Sequence, residues 1–287
     1  MCHRVVKQIL ALGKVVLTPF FLLAGCAQLV PLEGEPFAFG ILGDTPYAES
    51  EARALDGLIG RMNQDRLSFV VHVGDLGTSA RAQACSDTWL EARRAQLAKL
   101  RAPIVVLPGD NEWTDCARHG LDPGQRLAAW RKLFCNEAPR LELERQHEHC
   151  ENVRWHAADM SFIGLNVPGG SDPALDDARM AATLEWLDAS LALAEERRAR
   201  YIVIFMHADP RFERAGTQDA YGRLRAVLAT HAKWFQGRLV LVHGDTHYFR
   251  DDEPLPGLRR LEPWGAPFVS WLRASGTPGP LQVEVGW

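Results

Sequence analysis

The sequence predicts an α/β fold, one domain in which two stacked sheets lie between outer helices. Six short apolar runs rich in β-branched residues alternate with helical segments. After Tyr248 the helical segments stop, and three strand-like segments follow, joined by Gly and Pro turns. We find no internal repeat, and no linker rich in Pro, Gly or Ser divides the chain. At 287 residues, 47% of them hydrophobic, the chain is long enough to bury a large core.

The predicted elements follow in strict alternation before the β-rich end. The strands are predicted at residues 37–43, 67–73, 103–107, 160–166, 201–206, 238–242, 258–264, 267–273 and 280–286. The helices are predicted at residues 49–66, 88–100, 125–134, 179–198 and 218–234. Residues 136–153 are charged and are predicted to form a loop held by Cys150, with metal binding by His147 and His149 as the alternative.

The first 25 residues are typical of a signal peptide. Three basic residues precede an apolar run, residues 15–25, that is too short to cross a membrane. The run ends in Leu23-Ala24-Gly25-Cys26, which resembles the lipobox of bacterial lipoproteins. The resemblance implies that residues 1–25 are removed and that lipidated Cys26 anchors the exported chain on the periplasmic side of a membrane. Residues 26–36 would be a tether and residues 37–287 the domain; the alternative is a secretory signal cut a few residues later.

Charge and cysteine content narrow the function further. The formal charge is −4, and losing the three basic residues of the signal segment changes it to −7, which argues against binding duplex nucleic acid. Export permits disulfides, and beyond Cys26 four cysteines remain. We favour the pairs Cys85–Cys116 and Cys135–Cys150, since each closes a modest loop. A zinc site is the alternative, although no Cys-x-x-Cys spacing supports it.

Acidic and imidazole side chains follow five of the predicted strands directly. Every Gly-Asp dipeptide of the chain occurs at such a strand end, and two histidines stand in the same context. The side chains concerned are Asp44, Asp75, Asp110, His207, Asp245 and His247. Taken singly, each Asp is more often a helix N-cap or turn residue. Together they indicate a ligand site, because ligands of α/β sheets gather beyond the carboxyl ends of the strands.

The chemistry of this set points to metal. Four carboxylates packed together would repel one another unless cations or protons neutralise them. Mixed Asp and His ligation suits Mn, Fe or Zn better than Ca or Mg. Six ligands are too many for one catalytic ion with open positions. They suit two ions about 4 Å apart that share a bridging carboxylate, an arrangement used in phosphoester hydrolysis.

In these motifs the sequence resembles the calcineurin-like metallophosphoesterases, which include the purple acid phosphatases. The resemblance rests on the order and strand context, over residues 37–250, of Gly43-Asp44-Thr45-Pro46-Tyr47, Gly74-Asp75, Gly109-Asp110-Asn111-Glu112, His207 and Gly244-Asp245-Thr246-His247. It implies a four-layer α/β/β/α sandwich of two mixed sheets. It also implies that Asp44 and His247 hold the first metal, that Asp75 bridges, and that the second metal is held by Asp110, His207 and Asp245.

The sequence departs from the family pattern at four positions. Pro46 replaces a ligand histidine, and the phenolate of Tyr47 is an alternative donor. Asp110 and Asp245 replace a ligand Asn and a ligand His. Asn111 stands at the family's catalytic histidine, and an amide cannot donate a proton, although it can hydrogen-bond a phosphoryl oxygen.

His243 and His72 are the candidates to replace the general acid, and His243 is the better one since it directly precedes a ligand turn. The alternative, which its strand context favours, is that His243 is a backbone-bonded strand histidine. The leading hypothesis is an exported, lipid-anchored phosphatase or phosphodiesterase that uses two divalent or trivalent metal ions and a metal-bound hydroxide nucleophile. The alternative is a catalytically weak or inactive lipoprotein that binds phosphate ligands or metal on the same fold. Substrate and oligomeric state stay open.

Overall fold

Two mixed β-sheets form the centre of this computed structural model, which describes residues 37–135, 141–169, 177–214, 220–276 and 279–287. The predicted signal peptide, Cys26 and the tether lie outside the described residues. The strands are β1 (Ala38–Leu42), β2 (Val70–His72), β3 (Ile104–Val106), β4 (Glu144–Gln146), β5 (His149–Ala157), β6 (Met160–Gly164), β7 (Tyr201–Phe205), β8 (Leu239–Val242), β9 (Arg250–Leu255), β10 (Leu258–Glu262), β11 (Trp271–Ser275) and β12 (Gln282–Gly286).

Among the described residues, five α-helices flank the sheets: α1 (Glu49–Met62), α2 (Asp87–Leu97), α3 (Pro123–Phe134), α4 (Asp177–Glu196) and α5 (Gly222–Phe235). Helix α3 begins where the sequence favours it, with Pro in its first turn and the Asp122 carboxylate accepting a 2.7 Å hydrogen bond from the Gln125 amide. In the described part of the chain, no helix combines the length and the apolar character that crossing a membrane requires.

The strand order places the parallel strands side by side. The five-stranded sheet has the order β12-β11-β1-β2-β3, in which β1, β2 and β3 are parallel. The seven-stranded sheet has the order β4-β5-β6-β7-β8-β10-β9, in which β6, β7, β8 and β10 are parallel. Strands β11 and β9 run antiparallel to their neighbours and make both sheets mixed. The carboxyl ends of β1, β2 and β3 therefore share one edge, as do those of β7 and β8.

Three apolar clusters show that the molecule has four layers. Alternate residues of β7 divide between two of them, with Ile204 packing towards α4 and α5 and Phe205 packing between the sheets. The cluster between the sheets is aromatic, with Phe39 stacked on Phe69 at 5.1 Å between ring centroids. The third cluster joins the outer face of the five-stranded sheet to α1, α2 and α3. The predicted α/β/β/α sandwich is confirmed.

One segment was predicted wrongly. Residues 144–146 and 149–157 form the β4–β5 hairpin at a sheet edge rather than the predicted loop. Their charged side chains concealed the strands because each has an ion-pair partner. Arg154 binds the Glu144 carboxylate across the hairpin, and Arg131 of α3 binds the buried Glu151 through two nitrogens, each at 2.9 Å. Within the described residues, neither His147 nor His149 belongs to a group of potential metal ligands.

Two other differences lie in the β-rich end. Strand β9 was missed because its sequence is charged; the Asp252 carboxylate accepts two hydrogen bonds from Arg260 on β10, at 2.9 and 2.7 Å. Strand β11 begins at Trp271, four residues later than predicted. The residues before it are held elsewhere, since the Ala266 amide donates a 2.9 Å hydrogen bond to the Asp44 carbonyl.

Both predicted cysteine pairs lie at bonding distance. Cys85 and Cys116 are 2.05 Å apart between sulfur atoms, and Cys135 and Cys150 are 2.17 Å apart. The first bridge joins the segment that follows β2 to the segment that follows β3. Its two sulfur atoms lie 3.7 and 3.5 Å from the carbonyl oxygen of Asn111, so it supports the edge at which the predicted ligands meet.

Candidate metal centre

The six predicted ligands converge where the carboxyl edges of the two sheets meet. The three strand ends of the five-stranded sheet supply Asp44, Asp75 and Asp110, while β7 and β8 lead to His207, Asp245 and His247. Bonds cross between the sheets: the Asp245 amide donates a 3.0 Å hydrogen bond to Oδ1 of Asp44, and the His207 ring bonds the Val73 carbonyl.

The backbone turns sharply at these strand ends. Four of the six residues have left-handed φ angles: Asp44 at 52°, Asp75 at 60°, Asp245 at 77° and His247 at 66°. Asp and His tolerate this region better than most side chains, but it still costs about 1–3 kcal/mol each. Strain of this kind persists where surrounding structure over-determines it, which is common at functional sites. Here the sharp turns at the strand ends direct the candidate ligand side chains of both sheets towards one point.

One group of ligand atoms lies around His207. Its Nε2 atom is 3.0 Å from Oδ1 of Asp110, 3.4 Å from Oδ1 of Asp75 and 4.0 Å from Oδ1 of Asp245. Ligand atoms of Asp110, His207 and Asp245 all lie within 4.8 Å of one another, and so do those of Asp44, Asp75 and His207. The two sets share His207.

A second group lies around Tyr47. Its hydroxyl donates a 2.6 Å hydrogen bond to Oδ2 of Asp75 and lies 3.2 Å from Nε2 of His247. The same Nε2 atom is 3.6 Å from Oδ1 of Asp44. The phenol oxygen therefore lies among the predicted first-metal ligands, where Pro46 has removed an imidazole.

The donor atoms fit cations better than one another. The Nδ1 atoms of His207 and His247 donate to the carbonyl oxygens of Val73 and Ala266, at 3.1 and 2.8 Å, which leaves each Nε2 lone pair facing carboxylates. Nε2 of His207, Oδ1 of Asp110 and Oδ2 of Asp44 are buried without a hydrogen-bond partner. A buried lone pair against a buried carboxylate requires a proton or a cation between them.

The electrostatics point the same way. Burial raises the pKa of Asp75 well above its usual value, and the neighbouring carboxylates of Asp110 and Glu112 add to the effect. Burial alone would lower the pKa of His207, but the surrounding carboxylates raise it well above the usual value. Without a cation the cluster retains protons, and bound cations would replace them.

Comparisons with known proteins identify the fold. No family model matches the sequence. No curated protein matches it significantly. Among solved structures, a dimetal phosphatase from Danio rerio aligns with a TM-score of 0.60 at 16% identity, covering 88% of this chain and 96% of that one. A purple acid phosphatase from yellow lupin seeds aligns at 0.55 and 12% identity over 88% of this chain and 51% of that one. A Thermus thermophilus protein aligns at 0.51 and 11% identity, covering 87% and 99%.

The chain has the calcineurin-like metallophosphoesterase fold. Identities this low establish the fold alone, and the resemblance drawn from the sequence motifs is confirmed at that level. In the metallophosphoesterase fold of this chain, the two sheets each supply part of one ligand cluster at their shared edge.

Two buried glutamates hold the ligand turns of this metallophosphoesterase fold. Glu112 accepts hydrogen bonds from the amides of Asp75, Leu76 and Gly109 at 3.1, 2.5 and 2.7 Å. Burial raises its pKa to about 7. Glu262 accepts from the amide and hydroxyl of Thr246, between the two ligands of the β8 turn. Sequence reasoning missed Glu262, the last residue of β10, because the alternating charges of Leu258–Glu262 gave no signal that this carboxylate is buried.

Asn111, which stands at the position of the family's catalytic histidine, contacts two side chains of the cluster. Its Nδ2 atom has three acceptors: Oδ2 of Asp75 at 2.6 Å, the Gly77 carbonyl at 2.9 Å and the Tyr47 hydroxyl at 3.1 Å. The amide therefore fixes Asp75 and Tyr47 in position.

The two histidines considered as general acids lie behind the candidate metal centre. His243 is fully buried, its Nδ1 atom donates to the Gly244 carbonyl at 2.7 Å, and burial lowers its pKa to about 4. His72 is also fully buried and donates to the Thr45 carbonyl at 3.0 Å. Both are neutral, backbone-bonded rings, an arrangement that favours a structural role.

Proposed function

We propose that this protein hydrolyses phosphoesters at a site that binds two divalent or trivalent metal ions, Mn, Fe or Zn. One observation carries the proposal: carboxylate and imidazole groups from both sheets meet at one edge, and three of their buried ligand atoms make no hydrogen bond within the protein. The fold shared with a dimetal phosphatase supports it.

The proposed ligands divide into two sets around Asp75. Asp44 and His247 would hold the first ion, and the Tyr47 hydroxyl is close enough to them to contribute an oxygen. Asp110, His207 and Asp245 would hold the second ion. Asp75 contacts members of both sets, since Oδ2 accepts from Tyr47 while Oδ1 faces His207, and it would bridge.

The cations, when bound, would lower the pKa of a water molecule and neutralise charge on the phosphoryl group. The protein's part is orientation. The Asn111 amide and the Tyr47 hydroxyl hold Oδ2 of Asp75, and the backbone carbonyls of Val73 and Ala266 fix the rings of His207 and His247. Asn111 cannot donate a proton to the leaving group. Departure of the ester's alcohol would therefore depend on the acidity of that alcohol.

A combined metal and activity measurement tests this function. We expect about two ions per chain after loading with Mn, Zn or Fe, and hydrolysis of an aryl phosphate monoester or diester. Asp75→Asn should abolish hydrolysis because its carboxylate contacts both sets, whereas Asp188→Asn, an exposed change on α4, should not. A loaded protein that turns over none of these esters is a non-catalytic binding protein, and persistent activity in Asp75→Asn refutes the ligand assignment.

We also propose that the protein is exported and anchored through lipidated Cys26. The two cysteine pairs support export, because disulfides persist in oxidising compartments. Expressed in a bacterium, the protein should fractionate with membranes and the Cys26→Ala variant should not. A membrane fraction that is unchanged in the variant rejects the anchor.

A further inference from the structure

Four aromatic side chains form a row on the surface, at the sheet edge that carries the candidate metal centre. We call Tyr248, Trp264, Phe268 and Trp287 the aromatic row. Their ring centroids follow one another at 6.3, 5.3 and 6.2 Å, each pair edge to face. Tyr248 is 65% exposed, Phe268 47% and Trp287 57%. Trp264, which connects the other three, is partly buried, and exposed aromatic rings grouped in this way favour a binding role.

The row starts at the candidate metal centre. Tyr248 follows the predicted ligand His247 directly. Trp264 precedes Gly265, whose backbone packs so closely on the site that an added Cβ would lie 2.5 Å from Cβ of Asp44 and 2.9 Å from Cγ of His247. The Gly265 amide also donates to the His247 carbonyl at 3.2 Å. The residues that carry the first two rings therefore adjoin the proposed first-metal ligands along the backbone.

The chemistry of the leaving group provides a second, independent argument. The amide of Asn111 occupies the site without a transferable proton, and the rings of His72 and His243 donate to backbone carbonyls behind it. The Tyr47 hydroxyl commits its proton to a 2.6 Å hydrogen bond with Oδ2 of Asp75, so these groups together favour an ester whose oxygen leaves without protonation. A phenol, with a pKa of about 10, leaves as its anion far more readily than an alkyl alcohol, whose pKa is near the value of about 16 for water.

We propose that the aromatic row binds the organic group of the substrate and that the substrates are aryl phosphoesters, esters of phosphoric acid with a phenolic hydroxyl. This inference rests on the proposed phosphoester hydrolysis. In the reaction, the oxygen of water forms a new bond to phosphorus, and the bond from phosphorus to the aryl oxygen breaks. The aryl oxygen keeps the electron pair and leaves as phenolate, and the protons of water pass to phosphate and solvent.

Three substrates separate ring binding from leaving-group acidity. Phenyl phosphate has a ring and a phenolic oxygen, benzyl phosphate has a ring and an alkyl oxygen, and glycerol 2-phosphate has neither. For the metal-loaded protein we expect kcat/KM to fall in that order. Across substituted phenyl phosphates, kcat should fall steeply as the pKa of the phenol rises. Equal kcat/KM for all three substrates, or a kcat independent of phenol pKa, overturns the proposal.

Variants of the row test the subsite itself. Tyr248→Ala should lower kcat/KM about fivefold for phenyl and benzyl phosphate, by the usual strength of one aromatic contact, with less than a twofold change for glycerol 2-phosphate. Trp264→Leu should also lower kcat/KM for phenyl and benzyl phosphate selectively. If Trp264→Leu fails to fold, Tyr248→Ala still decides the test, because Tyr248 is exposed. The matched control is Trp234→Leu, because Trp234 is 63% exposed at the end of α5, which leads into the amino end of β8 away from the site. Equal losses on all three substrates indicate a purely structural row and overturn the proposal.

A binding measurement separates this inference from the proposed function. Calorimetry with phenylphosphonate and methylphosphonate, which are not hydrolysed, should show tighter binding of the phenyl compound to the wild type and no preference in Tyr248→Ala. If no ester is hydrolysed but this preference is found, the hydrolase proposal fails and the ring subsite stands. If hydrolysis is found without the preference, the subsite fails. A row that instead binds phosphatidylglycerol vesicles in a Tyr248-dependent manner, with no ring preference, is a lipid surface and also overturns the proposal.

Discussion

The Tyr47 hydroxyl donates a 2.6 Å hydrogen bond to Oδ2 of Asp75, the carboxylate that is proposed to bridge the first-metal and second-metal ligands. The phenol reaches this point from β1, whereas Asp75 follows β2. The contact joins two of the sequence motifs in one cluster, and it places an oxygen where Pro46 removes an imidazole.

Changing Tyr47 to Phe removes this hydroxyl and keeps the ring. Partners of metal ligands usually contribute about 10–100-fold to metal affinity, so we expect the affinity for the more weakly bound ion to fall by about tenfold or more. Titration calorimetry with Mn or Zn measures the change. The control is Tyr201→Phe, which alters a ring at the start of β7, the end opposite the site. Unchanged affinity in Tyr47→Phe excludes a role of the hydroxyl at the metal centre.

Changing Glu112 to Gln should destabilise the fold. The carboxylate accepts three backbone hydrogen bonds from a buried position, and an amide group would turn N–H groups towards at least one of those donors. We expect a loss of about 2–3 kcal/mol in the free energy of unfolding, the usual cost of leaving such groups unpaired. Urea unfolding measures it, with Glu185→Gln on the exposed face of α4 as control. A change no larger than that of the control contradicts the proposed support of the ligand turns.

The buried Glu151 predicts a pH-dependent stability. Burial would raise its pKa, but hydrogen bonds and charge from Arg131 and Arg179 outweigh that effect and lower the pKa to about 2. The folded protein thus binds this proton less tightly than the unfolded chain. The resulting stability, about 3 kcal/mol, is present above pH 4.5 and is lost as the pH falls towards 2.

Glu151→Gln measures this effect by difference. The difference in unfolding free energy between wild type and variant should shrink as the pH falls from 6 to 2. Urea unfolding at each pH measures this difference. Glu144→Gln is the matched control, since Glu144 also pairs with an arginine but its side chain is 55% exposed. A gap that does not vary with pH shows that the carboxylate is not held ionised by its arginines.

The two disulfides should differ in strength through the loops that they close. The Cys85–Cys116 pair spans 31 residues and the Cys135–Cys150 pair 15. Loop-closure entropy gives about 4 kcal/mol for the first and about 3 kcal/mol for the second. Paired Cys→Ser variants, compared by urea unfolding, should preserve this order. Because only the first bridge touches the Asn111 carbonyl, its removal should also weaken metal binding, and the second removal should not. The reverse pattern would contradict the placement of the first bridge beside the site.

Local patterns in the sequence were sufficient for the layered fold and for the convergence of the six candidate ligands. Continuous apolar runs such as β7 and the repeated Gly-Asp strand ends depend on neighbouring residues only, and parallel strands bring their carboxyl ends to one edge by geometry. The same reasoning failed for β5 and β9. Their strand character depends on charge pairs between neighbouring strands, such as Arg260 of β10 with Asp252 of β9, and the sequence of one strand alone does not show such a pair.

Contacts between distant segments gave the candidate site its particular chemistry. Tyr47 and Asn111 were ambiguous in the sequence, because whether a side chain reaches a ligand or solvent depends on the turn that carries it. Glu262 and the aromatic row come from separate strands and loops of the β-rich end, and they meet the ligand turns only after both sheets have packed. Side-chain type and strand order are properties of the chain, whereas burial, tautomer and distance follow from packing between distant segments, such as those of Tyr47 and His247, which are 200 residues apart.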